Sequence, residues 1–167
     1  MLYCEARQHI RSGDLLAWRG RGPISWLIRH VTGGAHTHVG VAWWLHGRLF
    51  ILEAREGVGV QIRAASAASS FDWINTGLFW REDVEQFALS KLGKPYSYLD
   101  ALQTGLGFHL TQDGYICSEY AAELFRRMDA RASLLSSPTP TDLVQFWLDQ
   151  GASLRSIQHE KREALSA

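Results

Sequence analysis

The 167-residue sequence has only two cysteines, Cys4 and Cys117. Two thiols can close one disulfide but cannot staple a small scaffold, so a thiol with a chemical task stays open. Net charge is also missing. Seventeen Lys and Arg balance seventeen Asp and Glu, leaving no long-range field to attract phosphate backbones or anionic lipid, so no nucleic acid is expected as a partner. There is no uninterrupted apolar run of about 18 residues and hence no membrane span. The first residues, MLYCEARQHIRSGD, contain no apolar stretch of signal-peptide kind. These absences suggest a cytoplasmic protein, or one delivered by a phage or a secretion machine. No HExxH and no paired-cysteine spacing occurs, so no metal is expected.

What is present describes a folded domain. Hydrophobic residues make up 46% and charged residues 20%, a balance that excludes global disorder and, at this length, predicts one domain over residues 1–167. Leu15 to Trp18 reads as a strand after the turn at Ser12-Gly13-Asp14, and Ser25 to Val31 as a short helix after Pro23. His38 to Trp44 and Leu49 to Ala54 form a β-hairpin through His46-Gly47, and Val58 to Arg63 adds a third strand. After the short patch AASAASS, Ile74 to Arg81 reads as another strand. A helical period then starts at Glu82 and ends at Gly93 and Pro95. From Cys117 to Met128, Tyr120, Ala121, Leu124, Phe125 and Met128 share one helical face. A last helix is expected after Thr141 as its cap, and the tail from Gln158 is polar. Strands come first and helices after: an α+β fold in which an antiparallel sheet or partial barrel packs against helices.

Cys117 has the setting of a nucleophile. A helix N-terminus offers unpaired N–H groups and positive potential, which favour a thiolate and can also donate to an oxyanion forming on a substrate carbonyl. Cys4 has no such context. His36 and His38 lie two apart, so they share a face if the strand starts early; His38 is followed directly by Val39-Gly40-Val41, so its backbone is the better fixed, and it is the expected base. Glu53 interrupts the apolar run FILEA on the adjacent strand, where it can accept from the imidazole and fix its tautomer. Tyr115, two residues before the cysteine, is a candidate oxyanion donor, and Trp26, Trp43 and Trp44 are candidate substrate walls. A metal site built on His36, His38 and Cys117 or Glu53 is the weaker reading, for want of any supporting motif.

GDLLAW, PISWLIRHVTGGAHTHVGVAWW, ILEA, LGKPYSYLDAL and YICSEYAAELF resemble, in that order, the circularly permuted branch of NlpC-like papain-fold hydrolases, which includes YiiX-like proteins and, more distantly, the lecithin:retinol acyltransferase group. The motif Ser/Thr-His-Val-Gly falls on Thr37 to Gly40, Glu-Ala on Glu53 and Ala54, and Cys-Ser-Glu on Cys117 to Glu119. The resemblance implies a permuted papain-like fold with the nucleophile at a helix N-terminus. It also implies a cysteine peptidase or amidase using Cys117, His38 and Glu53 on a peptide, a peptidoglycan fragment or an acyl-lysine bond, without a cofactor. Alternatives on the same scaffold are an acyltransferase or esterase acting on an acyl lipid, and a noncatalytic module binding lipid or peptide.

Overall fold

The computed structural model describes residues 1–20, 34–97 and 114–159. Within them a six-stranded antiparallel open sheet packs against helices. The elements are α1 (Tyr3–Ala6), β1 (Leu15–Trp18), β2 (His38–Leu45), β3 (Arg48–Arg55), β4 (Gly59–Ala64), β5 (Phe71–Asn75), α2 (Glu82–Ser90), α3 (Cys117–Met128), α4 (Pro140–Asp149) and β6 (Ser153–Ile157). The strand order is β4-β3-β2-β1-β5-β6, and every neighbouring pair is antiparallel. The expected helix from Ser25 to Val31, and with it Trp26, lies outside the described residues.

The β2–β3 hairpin forms where the sequence places it, with Leu45 paired to Arg48. Its two-residue turn has φ 47° at His46 and φ 74° at Gly47, the left-handed pair that matches the twist of the flanking strands. Three expectations are corrected. The strand expected over Ile74 to Arg81 is instead β5, ending at Asn75, whose Oδ1 accepts from the Gly77 N–H at 3.1 Å and bends the chain away. The cap of α4 is Thr139, not Thr141: the Thr139 hydroxyl accepts from the Asp142 N–H, the Asp142 carboxylate accepts from the Thr139 N–H, and Pro140 occupies the first helical position, where its missing N–H costs nothing. A final strand, β6, follows the helices and lies along β5; its sequence, SLRSI, exposes most of its residues and carries little apolar alternation.

Alternation along the strands builds a core on each face. One face gives Leu15, Val39, Val41, Trp43 and Leu52, which pack under Tyr120, Leu124 and Phe125 of α3 and Leu143 and Trp147 of α4. The other gives Leu16, Trp18, Ala42, Ile51, Phe71 and Trp73, closed by Ala6 and Ile10. Each large side chain so buried contributes about 1.5–3 kcal/mol. The 3.6-residue period of α3 thus presses its N-terminus against one face near the start of β2.

Candidate functional site

Cys117 is the first residue of α3 and is 4% exposed. The preceding cap position carries Ile116, which offers no acceptor to the first-turn N–H groups; Glu119 reaches back to the Ile116 N–H instead, at 3.3 Å. No side-chain oxygen from the cap therefore competes for the helix N-terminus beside the thiol.

His38 is the first residue of β2, at the rim of the sheet. Its Nε2 is 2.8 Å from Glu53 Oε2, and Cys117 is near enough to its ring to raise the imidazole's pKa. With Nε2 on the carboxylate, Nδ1 is the nitrogen left for the thiol. The rim position matters: Cys117 belongs to the helix covering one face, Glu53 projects from the other, and His38 bridges them. Gly40 makes room for this. Extended by one residue, the β2–β3 register sets Gly40 opposite Glu53. A Cβ on Gly40 would come within 2.6 Å of Ile51 Cγ2 and 3.3 Å of Glu53 Cβ.

Glu53 is fully buried, and burial pushes its carboxyl pKa up. The hydrogen bonds and charges of His38 and Arg63 outweigh that and bring it down to about 2. Its oxygens are well supplied: Arg63 Nε donates to Oε1 at 2.7 Å, Arg63 Nη2 to Oε2 at 3.0 Å, and Gln61 Nε2 to Oε1 at 3.0 Å. For His38 burial works against the charged ring, but the charge and hydrogen bond of Cys117, then Glu53, push its pKa up to about 9. Trp18 lies beside the imidazole, ring centroids 5.4 Å apart. A thiol, an imidazole with a raised pKa and a fixed carboxylate therefore stand together at the start of α3, an arrangement suited to acyl transfer.

His36 is placed elsewhere. Its Nε2 is 2.8 Å from Asp72 Oδ2, and Asp72 also accepts from Arg19 and from the Ser156 hydroxyl. Trp43 lies in the helix-covered core with its indole N–H on Glu85, and Trp44 donates its indole N–H to the Ile10 carbonyl. The Tyr115 hydroxyl donates to Glu123 at 3.0 Å, and burial together with Glu123 raises its pKa to about 12, so it is a neutral phenol already engaged. Gln61 and Arg63 were not singled out from the sequence. Their signal was the alternation Val60-Gln61-Ile62-Arg63, which puts two polar side chains on the same face as Glu53 once β4 is laid beside β3.

No family model matches the chain, and no curated protein matches it. Among solved structures it is similar to the metalloprotein YiiX (DUF1105) from Escherichia coli O157:H7, with a TM-score of 0.55 and 20% identity over 72% of this chain and 67% of that one. Among the described residues no three His, Cys, Asp or Glu side chains are grouped to hold a metal ion. Both Glu53 oxygens, moreover, face N–H donors and a guanidinium cation, surroundings that do not fit a metal ligand. The chain shares the fold of YiiX over the matched region.

Proposed function

We propose that this chain is a thiol hydrolase of the permuted NlpC/papain kind, with Cys117 as nucleophile, His38 as base and acid, and Glu53 holding the imidazole. The observation that carries the reading is that His38, held by Glu53 at 2.8 Å, has Cys117 at the start of α3 near enough to raise its pKa. The likeness to YiiX supports the scaffold but says nothing of the chemistry.

In the proposed reaction the Cys117 sulfur attacks the acyl carbon, and the carbonyl π electrons move to oxygen, where first-turn N–H groups of α3 receive them. Collapse breaks the bond to the leaving amine, which takes the His38 proton, and a thioester is left. Water gives a proton back to His38 as its oxygen adds to that acyl carbon. The second collapse releases the carboxylic acid and restores the thiolate and imidazolium. The substrate class best matched is an amide: a peptide, a peptidoglycan fragment or an acyl-lysine.

Wild type and Cys117→Ala incubated with peptidoglycan fragments, acyl-lysine peptides and phospholipids, with products read by mass spectrometry, test this directly. Cleavage of an amide by the wild type alone is expected; equal product from both proteins overturns it, and ester-only cleavage redirects it to lipids. Alkylation adds a stringent check because Cys4 is exposed and Cys117 is not. Access alone favours Cys4, so faster iodoacetamide capture of Cys117 near pH 7 is the expected signature of a thiolate.

A further inference from the structure

Arg63 lies on β4 opposite Ile51, one step diagonal to Glu53, and is 21% exposed at its side chain. Two of its nitrogens reach two different oxygens of one carboxylate, at 2.7 and 3.0 Å. Such a fork fixes the plane of the carboxylate as well as its charge, which a lysine cannot do. The same guanidinium stands over the Trp18 ring, 5.6 Å from its centroid, and that ring in turn flanks His38. Arg63 therefore touches both neighbours of the imidazole without touching the imidazole's thiol partner.

We infer that Arg63 is a positioning residue of this site: its fork keeps Glu53 ionised and in the plane that aims His38 at Cys117. The inference rests on the hydrolase reading for its purpose but not for its test. Without Arg63, His38 alone would be left to oppose the burial that drives Glu53 toward the protonated form. A protonated Glu53 presents an O–H to the imidazole in place of an acceptor and stops stabilising the imidazolium. Among the described residues, the charged and titratable groups at His38 and its carboxylate are Glu53 from β3, Cys117 from α3 and Arg63 from β4. Beyond Arg63 lies His159, whose pKa is lowered by burial and by Arg63.

The test compares wild type, Arg63→Gln and Arg63→Lys by two readouts. The first is the titration of the Glu53 side-chain carboxyl by carbon NMR, which needs no reactive thiol. Arg63→Gln is expected to move the Glu53 midpoint up by about one to three pH units, and Arg63→Lys to hold it close to wild type. An unmoved midpoint in Arg63→Gln overturns the ionising role. The second readout is the pH profile of Cys117 alkylation. Arg63→Lys, which keeps the charge and gives up the fork, is expected to lower the plateau roughly tenfold or more while leaving the acid limb in place; a wild-type plateau overturns the orienting role. If Arg63→Gln does not fold, the lysine variant carries both measurements, and a Glu53 midpoint displaced upward in it shows that the fork is needed for ionisation too. Should Cys117 of the wild type prove no more reactive than Cys4, the hydrolase reading fails, while the carboxyl titration still decides the role of Arg63.

Discussion

Two histidine–carboxylate pairs stand two residues apart on this chain, and they do different things. His38 meets Glu53 and His36 meets Asp72, each through Nε2 at 2.8 Å, and each carboxylate also holds an arginine, Arg63 or Arg19. The difference lies at the other ring nitrogen. That of His38 is left for Cys117. Nδ1 of His36 is buried with no hydrogen-bond partner among the described residues, while the residue's backbone N–H is tied to Thr141 of α4. A histidine on a carboxylate is thus a structural unit in both places, and what sets one of them apart is the thiol beside it at a helix start. The pair at His36 fastens the approach to β2 onto β5 and α4, which in turn holds the start of the strand that presents His38.

The largest effects should separate the two pairs outright. On the proposed hydrolase reading, Cys117→Ala is expected to abolish amide cleavage and His38→Ala to lower it by about 10³-fold or more, whereas folded His36→Ala is expected to stay within a few-fold of wild type; comparable losses from both histidine variants in a kcat assay would erase the distinction. Next comes Glu53→Gln, which keeps shape but presents a neutral amide, and should cost roughly 10²- to 10⁴-fold with little change in secondary structure by circular dichroism. For His36→Ala the expected loss is in stability, about 1–3 kcal/mol in urea unfolding, since Asp72 keeps Arg19 and Ser156 but loses a buried partner. Gly40→Ala should destabilise by a similar 1–3 kcal/mol through overpacking against Ile51 and should also reduce activity by displacing Glu53.

The smallest and most diagnostic effects concern pH. His38, raised from its ordinary 6.5 to about 9, adds stability that is complete below 6.5 and is lost as pH rises through 9. Glu53, lowered from 4.5 to about 2, adds stability that is complete above 4.5 and is lost as pH falls through 2. Both contributions are therefore full between pH 4.5 and 6.5. Because Cys117 contributes to the rise at His38 through both charge and a hydrogen bond, Cys117→Ala should lower the His38 midpoint in an NMR titration; an unmoved midpoint would mean that the thiol and imidazole do not communicate.

Much of this arrangement could be read from the residues. β1 and α3 begin and end where apolar alternation and the 3.6-residue period place them, and the hairpin that His46-Gly47 suggests is formed. Cys117, His38 and Glu53 stood out because each is a polar side chain in an apolar or helix-start context. Their mutual reach needed the register of the hairpin and the docking of α3, which no local pattern states. Arg63 and Gln61 were overlooked because polar residues on an edge strand ordinarily face water; here the buried Glu53 draws them in. β5 was displaced because its boundary is set by an Asn75–Gly77 turn rather than by a change in hydropathy. β6 was missed because an edge strand is specified mainly by the backbone groups of its neighbour, not by its own side chains.

That last strand carries a consequence for how the molecule comes together. Besides lying along β5, it runs into a pairing of Gln158 with the opening residues, its N–H on the Met1 carbonyl and its carbonyl on the Tyr3 N–H, both at 2.9 Å. Contacts so far apart in sequence form late and slowly, because a long loop must be closed before they repay its entropy. Until β6 arrives, the outer side of β5 offers a row of unpaired amides to any passing strand, an edge left open while the chain from Asn75 to Ser153 is being made.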